Sequence, residues 1–101
     1  MVRATLALQV MPLRARDPLV AVEAAIAVIR ASGVAFEVGP METTLEGPSL
    51  DELVVVAQRA HRAALAAGAD AVQTNLRMLE CPDGLQTMRA KTLPFRAESS
   101  A

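Results

Sequence analysis

Three carboxamides and three carboxylates are the side chains best suited to recognising a small molecule: Gln9, Gln73 and Asn75, and Glu37, Glu42 and Glu46. An amide donates and accepts hydrogen bonds at once, so it can match a ligand edge of mixed polarity, whereas a carboxylate attracts a cation. Signals for covalent or metal chemistry are thin. Cys81 is the single cysteine and stands beside Pro82 in a turn-like stretch, where it reads as an incidental thiol. His61 has no second His or Cys at ligand spacing, so no zinc site is expected. It reads as a boundary residue on the flank of a helix, near Val54, Ala57 and Leu65.

The polar groups must be held by strands. Residues 3–11 alternate, with Leu6, Leu8 and Val10 on one side and Thr5, Ala7, Gln9 and Met11 on the other; Pro12 is expected to end the strand. Asp17-Pro18 starts a helix, Asp as N-cap and Pro at the first position, and Leu19, Val22, Ile26 and Ile29 recur at helical spacing. Ser32-Gly33 stops it. A second strand, residues 34–38, turns at Gly39-Pro40 into a third, residues 41–46, and the pair reads as a hairpin. Ser49 and Glu52 form a capping box for a second helix, lined by Leu53, Val56, Ala60, Ala64 and Ala67 and ending at Gly68. Residues 71–78 make a fourth strand, with Gln73, Asn75 and Arg77 opposite Val72, Thr74, Leu76 and Met78. Pro82-Asp83-Gly84 is a turn, residues 85–95 could add a short helix or an edge segment, and 96–101 read as a frayed tail.

Two strand–helix–strand units in series favour right-handed crossovers. The predicted fold is therefore α+β, a ferredoxin-like βαββαβ sandwich with a four-stranded antiparallel sheet and two helices on one face. Residues 1–80 form this domain and 81–101 a partly ordered C-terminal extension. The other sheet face carries Thr5, Gln9, Glu37, Glu42, Thr44, Glu46, Gln73, Asn75 and Arg77, with Ala7, Met11, Ala35 and Ala71 between them. Antiparallel sheets commonly expose one face to water. This set lacks the lysines that protect such surfaces and mixes neutral hydrogen-bonding groups with small residues, which favours a wet subunit interface or a ligand floor.

The totals narrow the function. One domain of 101 residues with 52% apolar and 21% charged residues is globular composition. A net charge of −1, without a basic cluster, argues against nucleic acid. No apolar run approaches the roughly 20 residues of a membrane span. The chain enters strand-like sequence at once, without a secretory layout, and one cysteine fits a reducing cytoplasm, the expected location. Met11, Met41, Met78 and Met88 read as gap-fillers in an Ala-rich core, although Met11 also sits among the groups of the polar face.

The order of Val10-Met11-Pro12-Leu13, Ser32-Gly33-Val34, Gly39-Pro40-Met41-Glu42-Thr43-Thr44-Leu45-Glu46-Gly47 and Gly68-Ala69-Asp70-Ala71-Val72-Gln73-Thr74 resembles the thiamine-binding protein family, which includes the YkoF-like proteins. The resemblance covers about residues 3–80. It implies the same ferredoxin-like fold, assembly into a homo-oligomer (dimer or tetramer), and non-catalytic binding of thiamine or its hydroxymethylpyrimidine half, with no further cofactor and no metal. Thr43, Glu46 and Gly47 match the family's Thr-x-x-Glu-Gly element. With the polar-face groups, this gives Gln9, Met11, Glu37, Thr43, Thr44, Glu46 and Asn75 as candidate ligand-binding residues, the amides for the aminopyrimidine edge and the carboxylates for the thiazolium cation. After the fourth strand, where many members have a Lys, an acidic residue and an Arg, this chain reads Arg77-Met78-Leu79-Glu80-Cys81.

Several of these residues have structural readings too. Thr43 alternates toward the helices and could bond within the hairpin. Glu46 could bond backbone amides near the start of the second helix, and Arg77 reads as an intersubunit ion-pair partner. Among other functions, an acylphosphatase-like hydrolase would use Arg14 or Arg16 with Asn75, but the loop Pro12-Leu13-Arg14-Ala15-Arg16 has no Gly to let backbone amides close around an anion. An RNA-recognition domain needs aromatics on the open face, and Phe36 alternates the other way. A structural or regulatory oligomer that seals the polar face by symmetry fits the same pattern.

Overall fold

Residues 1–99 are described by a computed structural model, with side-chain surroundings given through Arg96. The order is β1 (Ala4–Ala15), α1 (Pro18–Ser32), β2 (Ala35–Val38), β3 (Thr43–Gly47), α2 (Leu50–Ala66), β4 (Ala69–Glu80) and α3 (Met88–Ser99). The sheet is antiparallel, in the order β2-β3-β1-β4, and α1 and α2 pack together on one face, giving the ferredoxin-like α+β fold.

The alternation of β1 carries into three dimensions. Leu6 and Leu8 are buried under the helices with Leu45 of β3, while Thr5, Ala7, Gln9 and Met11 face the other way. Contrary to the reading of Pro12 as a terminator, β1 runs on to Ala15 beside β4. Pairing with β3 covers only Ala4 to Leu8, so Pro12 lies where β1 has a neighbour on one side, and a missing N–H is tolerated there. β3 starts two residues later than predicted because Gly39 closes the turn, its N–H donating to the Glu42 carbonyl at 2.9 Å, and β2 loses Val34, whose N–H is taken by Ser32 Oγ at the end of α1. β4 is longer at both ends, drawn out by β1, and α2 stops at Ala66 instead of Gly68.

Both predicted N-caps are in place. Asp17 Oδ1 accepts from the N–H groups of Leu19 and Val20, and Ser49 Oγ accepts from that of Glu52. Gly33 ends α1 at φ 81°. The buried stripe of α1, however, is Ala21, Ala25 and Ile29, not the Leu19–Val22–Ile26 line, and Leu19 is 65% exposed. Small alanines let α1 approach α2 and the sheet closely, which turns Val22 and Ile26 to the flank.

The C-terminal extension departs most from the sequence reading. Residues 88–99, expected as a weak helix or edge piece followed by a frayed tail, form one helix; residues 100 and 101 lie outside the described residues. The turn before it is tied to the N-terminal residues, Cys81 N–H donating to the Arg3 carbonyl and Leu85 N–H to that of Val2, both at 2.8 Å.

Candidate functional site

The open sheet face is a register of short polar side chains. Gln9 stands opposite Asn75, Met11 opposite Gln73, and Ala7 between Thr44 and Arg77. The small residues leave the polar ones room to reach one another across the strands. Gln73 Nε2 donates to Asn75 Oδ1 at 3.2 Å, and Asn75 Nδ2 donates to Gln9 Oε1 at 3.2 Å, with Met11 Sδ 3.5 Å away. Three amides are thereby oriented by one another. Gln73 and Asn75 remain exposed, so unused donor and acceptor positions of the chain face outward.

The carboxylates are committed differently. Glu42 pairs with Arg77 of its own chain. Glu37 pairs with Arg96 of α3 at 3.2 Å. Glu46 accepts from the Met88 N–H at 2.7 Å, at the start of α3 and not of α2, whose cap is Ser49. α3 thus lies over the β2–β3 side of the open face. Thr44 stays beside Thr5, Glu42 and Arg77 around a depression of about 260 Å³.

Thr43 is on the opposite face, buried at 9% exposure. It lines a cavity of about 150 Å³ between α1 and the hairpin tip, with walls from Leu8, Val10, Val22, Ile26 and Ile29 and a rim that includes Gln9 and Glu42. Of the residues proposed from sequence, Gln9, Met11 and Asn75 come together, Thr44 lies nearby, Glu37 and Glu46 are drawn to α3, and Thr43 lies on the helix side of the sheet, where it shares a cavity with Gln9 alone of this set. The cavity was missed because its walls read simply as helix and strand apolar positions.

Comparison with known proteins fits this architecture. The profile of the family described as thiamine-binding protein matches residues 6–95. The chain belongs to the thiamine-binding protein family. A UPF0045 protein of Methanothermobacter thermautotrophicus is 37% identical over 70 residues, 69% of this chain and 71% of that protein. Among solved structures, a domain of unknown function from Bacillus cereus superposes with a TM-score of 0.84 at 40% identity, covering 97% of this chain and 95% of that one. A Thermotoga maritima protein described as a proposed thiamine biosynthesis/salvage protein gives 0.78 at 25% identity, covering 93% and 99%.

The family match extends past β4 into α3, beyond the stretch on which the sequence resemblance rested. Within this fold, the hydrolase alternative finds no joint site. Asn75 faces Gln9, whereas Arg14 lies five residues further along β1, about 17 Å away for an extended strand. His61 Nδ1 is 2.7 Å from Thr74 Oγ1, a link from α2 to β4 on the helix side. Among the described residues no three His, Cys, Asp or Glu side chains gather where they could hold a metal ion, and no helix is long and apolar enough to cross a membrane.

Proposed function

We propose that this protein binds thiamine or its hydroxymethylpyrimidine half without transforming it, and does so as a homo-oligomer in the cytoplasm. The observation that carries the reading is the Gln73–Asn75–Gln9 amide chain, held in register on an open sheet face in a member of the thiamine-binding family. An aminopyrimidine presents an amine donor beside ring-nitrogen acceptors, and a set of amides supplies the complementary pattern. Met11 offers a soft apolar surface next to it. Glu42 at the neighbouring rim supplies negative charge for a thiazolium, and Thr44 a hydroxyl. Glu37 and Glu46 take part as anchors of α3 over the same face, and Thr43 from the cavity behind it.

Self-association is supported by the free edge of β4. This strand is twelve residues long, pairs among the described residues only with β1, and exposes Leu76, Met78 and Leu79 at 41–57%. A long, apolar edge of this kind is an efficient template for a second copy. The lone Cys81 suits a reducing compartment.

Calorimetric titration with thiamine and with hydroxymethylpyrimidine, alongside native mass spectrometry, tests the proposal. Saturable heat with at least one compound and a mass above that of one chain are expected. Absence of heat and of any thermal shift with both compounds overturns the binding role.

A further inference from the structure

Arg77 and Glu42 are joined across β1. Arg77 stands on β4 opposite Ala7, Ala7 stands opposite Thr44 of β3, and Glu42 precedes that strand at the hairpin turn. Two strand spacings, about 10 Å, separate β4 from β3, a span that suits the long arginine side chain. The side chain of β1 between them is only the methyl of Ala7, so the guanidinium passes over it to the carboxylate. One same-face position further along, about 7 Å away, Gln9 faces Asn75 and the amide chain begins.

The pair is weakly held. Its side chains are 74% and 32% exposed for Arg77 and Glu42, and an ion pair this wet adds little stability, because water solvates each charge nearly as well as the partner does. The strands it spans are already joined by their backbone ladders. Among the described residues each member is the other's one ion-pair partner. The Glu42 carboxylate is therefore neutralised without being locked.

We infer that Arg77 is an internal competitor for Glu42 and sets the charge selectivity of the site. The inference rests on the function proposed above, in which Glu42 meets the thiazolium, and adds a specificity-determining role for Arg77. A cationic ligand reaches Glu42 only by displacing the guanidinium, which swings into water and recovers most of the lost attraction by hydration. The remaining cost falls on cations alone. An uncharged pyrimidine engages the neighbouring amides and leaves the ion pair in place. The site is thereby biased toward the uncharged half of the ligand.

The test is calorimetric titration of the full chain and of its Arg77→Gln, Glu42→Gln and doubly substituted variants, with thiamine and with hydroxymethylpyrimidine, above neutral pH where the pyrimidine is uncharged. The readout is the ratio of the two affinities, which a change in the folded fraction would not move because it scales both alike. Arg77→Gln should raise the ratio in favour of thiamine roughly two- to fivefold, the weight of one exposed ion pair. Glu42→Gln should lower it by a similar factor. With Glu42 already replaced, Arg77→Gln should leave the ratio where it was, since no carboxylate remains to contest.

If both ligands bind and the parent and Arg77→Gln give the same ratio, the competition is overturned and the proposed function stands. If Arg77→Gln raises the ratio equally with and without Glu42, plain repulsion of the cation accounts for the effect and the competition is again overturned. If neither ligand binds the parent or any variant, the proposed function falls and the inference with it.

Discussion

Thr5 carries a side-chain oxygen that is fully shielded yet has no hydrogen-bond partner among the described residues. It sits on the open face, between Glu46 and Leu79, where neighbouring strands crowd it without offering a donor or acceptor in reach. A buried hydroxyl left unpaired costs about 1–3 kcal/mol, and an isosteric methyl removes that cost. Thr5→Val should therefore stabilise the fold by about 1 kcal/mol, raising Tm by roughly 4–8 °C for a domain of this size. Differential scanning calorimetry reads this directly, and a drop in Tm would show that the hydroxyl is in use. The sequence placed Thr5 on the correct face through simple alternation. It could not show the missing partner, because that depends on side-chain positions three strands across.

Among the elements, α3 is held most sparingly. Its first turn is fixed by the Glu46 carboxylate at the Met88 N–H and its far end by Arg96 at Glu37, while Leu93 and Phe95 are more than half exposed. Pro94 removes one of its internal hydrogen bonds. A carboxylate at a helix start satisfies an orphan donor and meets the positive end of the dipole. Glu46→Gln should therefore loosen α3 locally by about 1–2 kcal/mol, a factor of roughly 5–30 in opening. Hydrogen exchange at the Met88–Lys91 amides is the measurement, and unchanged protection there would refute the anchoring role. From sequence, Glu46 read as a cap for the adjacent α2, since capping signals are recognised over three or four residues. Its partner is 42 residues away.

At the scale of the molecule, the unmatched feature is the edge of β4. Leu76 and Met78 face the helix side, opposite Leu8 and Leu6, yet remain exposed, while Leu79 is exposed on the other face. Such a strand invites a further copy. A Leu76→Lys, Met78→Lys double variant places two charges on that edge and should shift the native mass toward one chain while leaving the helical and sheet content intact. A mass identical to the parent's would place the subunit contact elsewhere.

Alternation, N-caps and turn residues were enough to give the strand and helix order, the ferredoxin-like closure and the split between an apolar and a polar sheet face. These are decided within a few residues by backbone sterics and by burial of every second side chain. The three-amide chain was legible as a set of residues on one face, though not as a connected array. The extent of β1 past Pro12, the rotation of α1 onto its alanines, the docking of α3 on Glu46 and the cavity before Thr43 were decided only by tertiary packing. Each depends on which distant segment fills, or fails to fill, the space beside a given side chain, and local spacing carries no record of that.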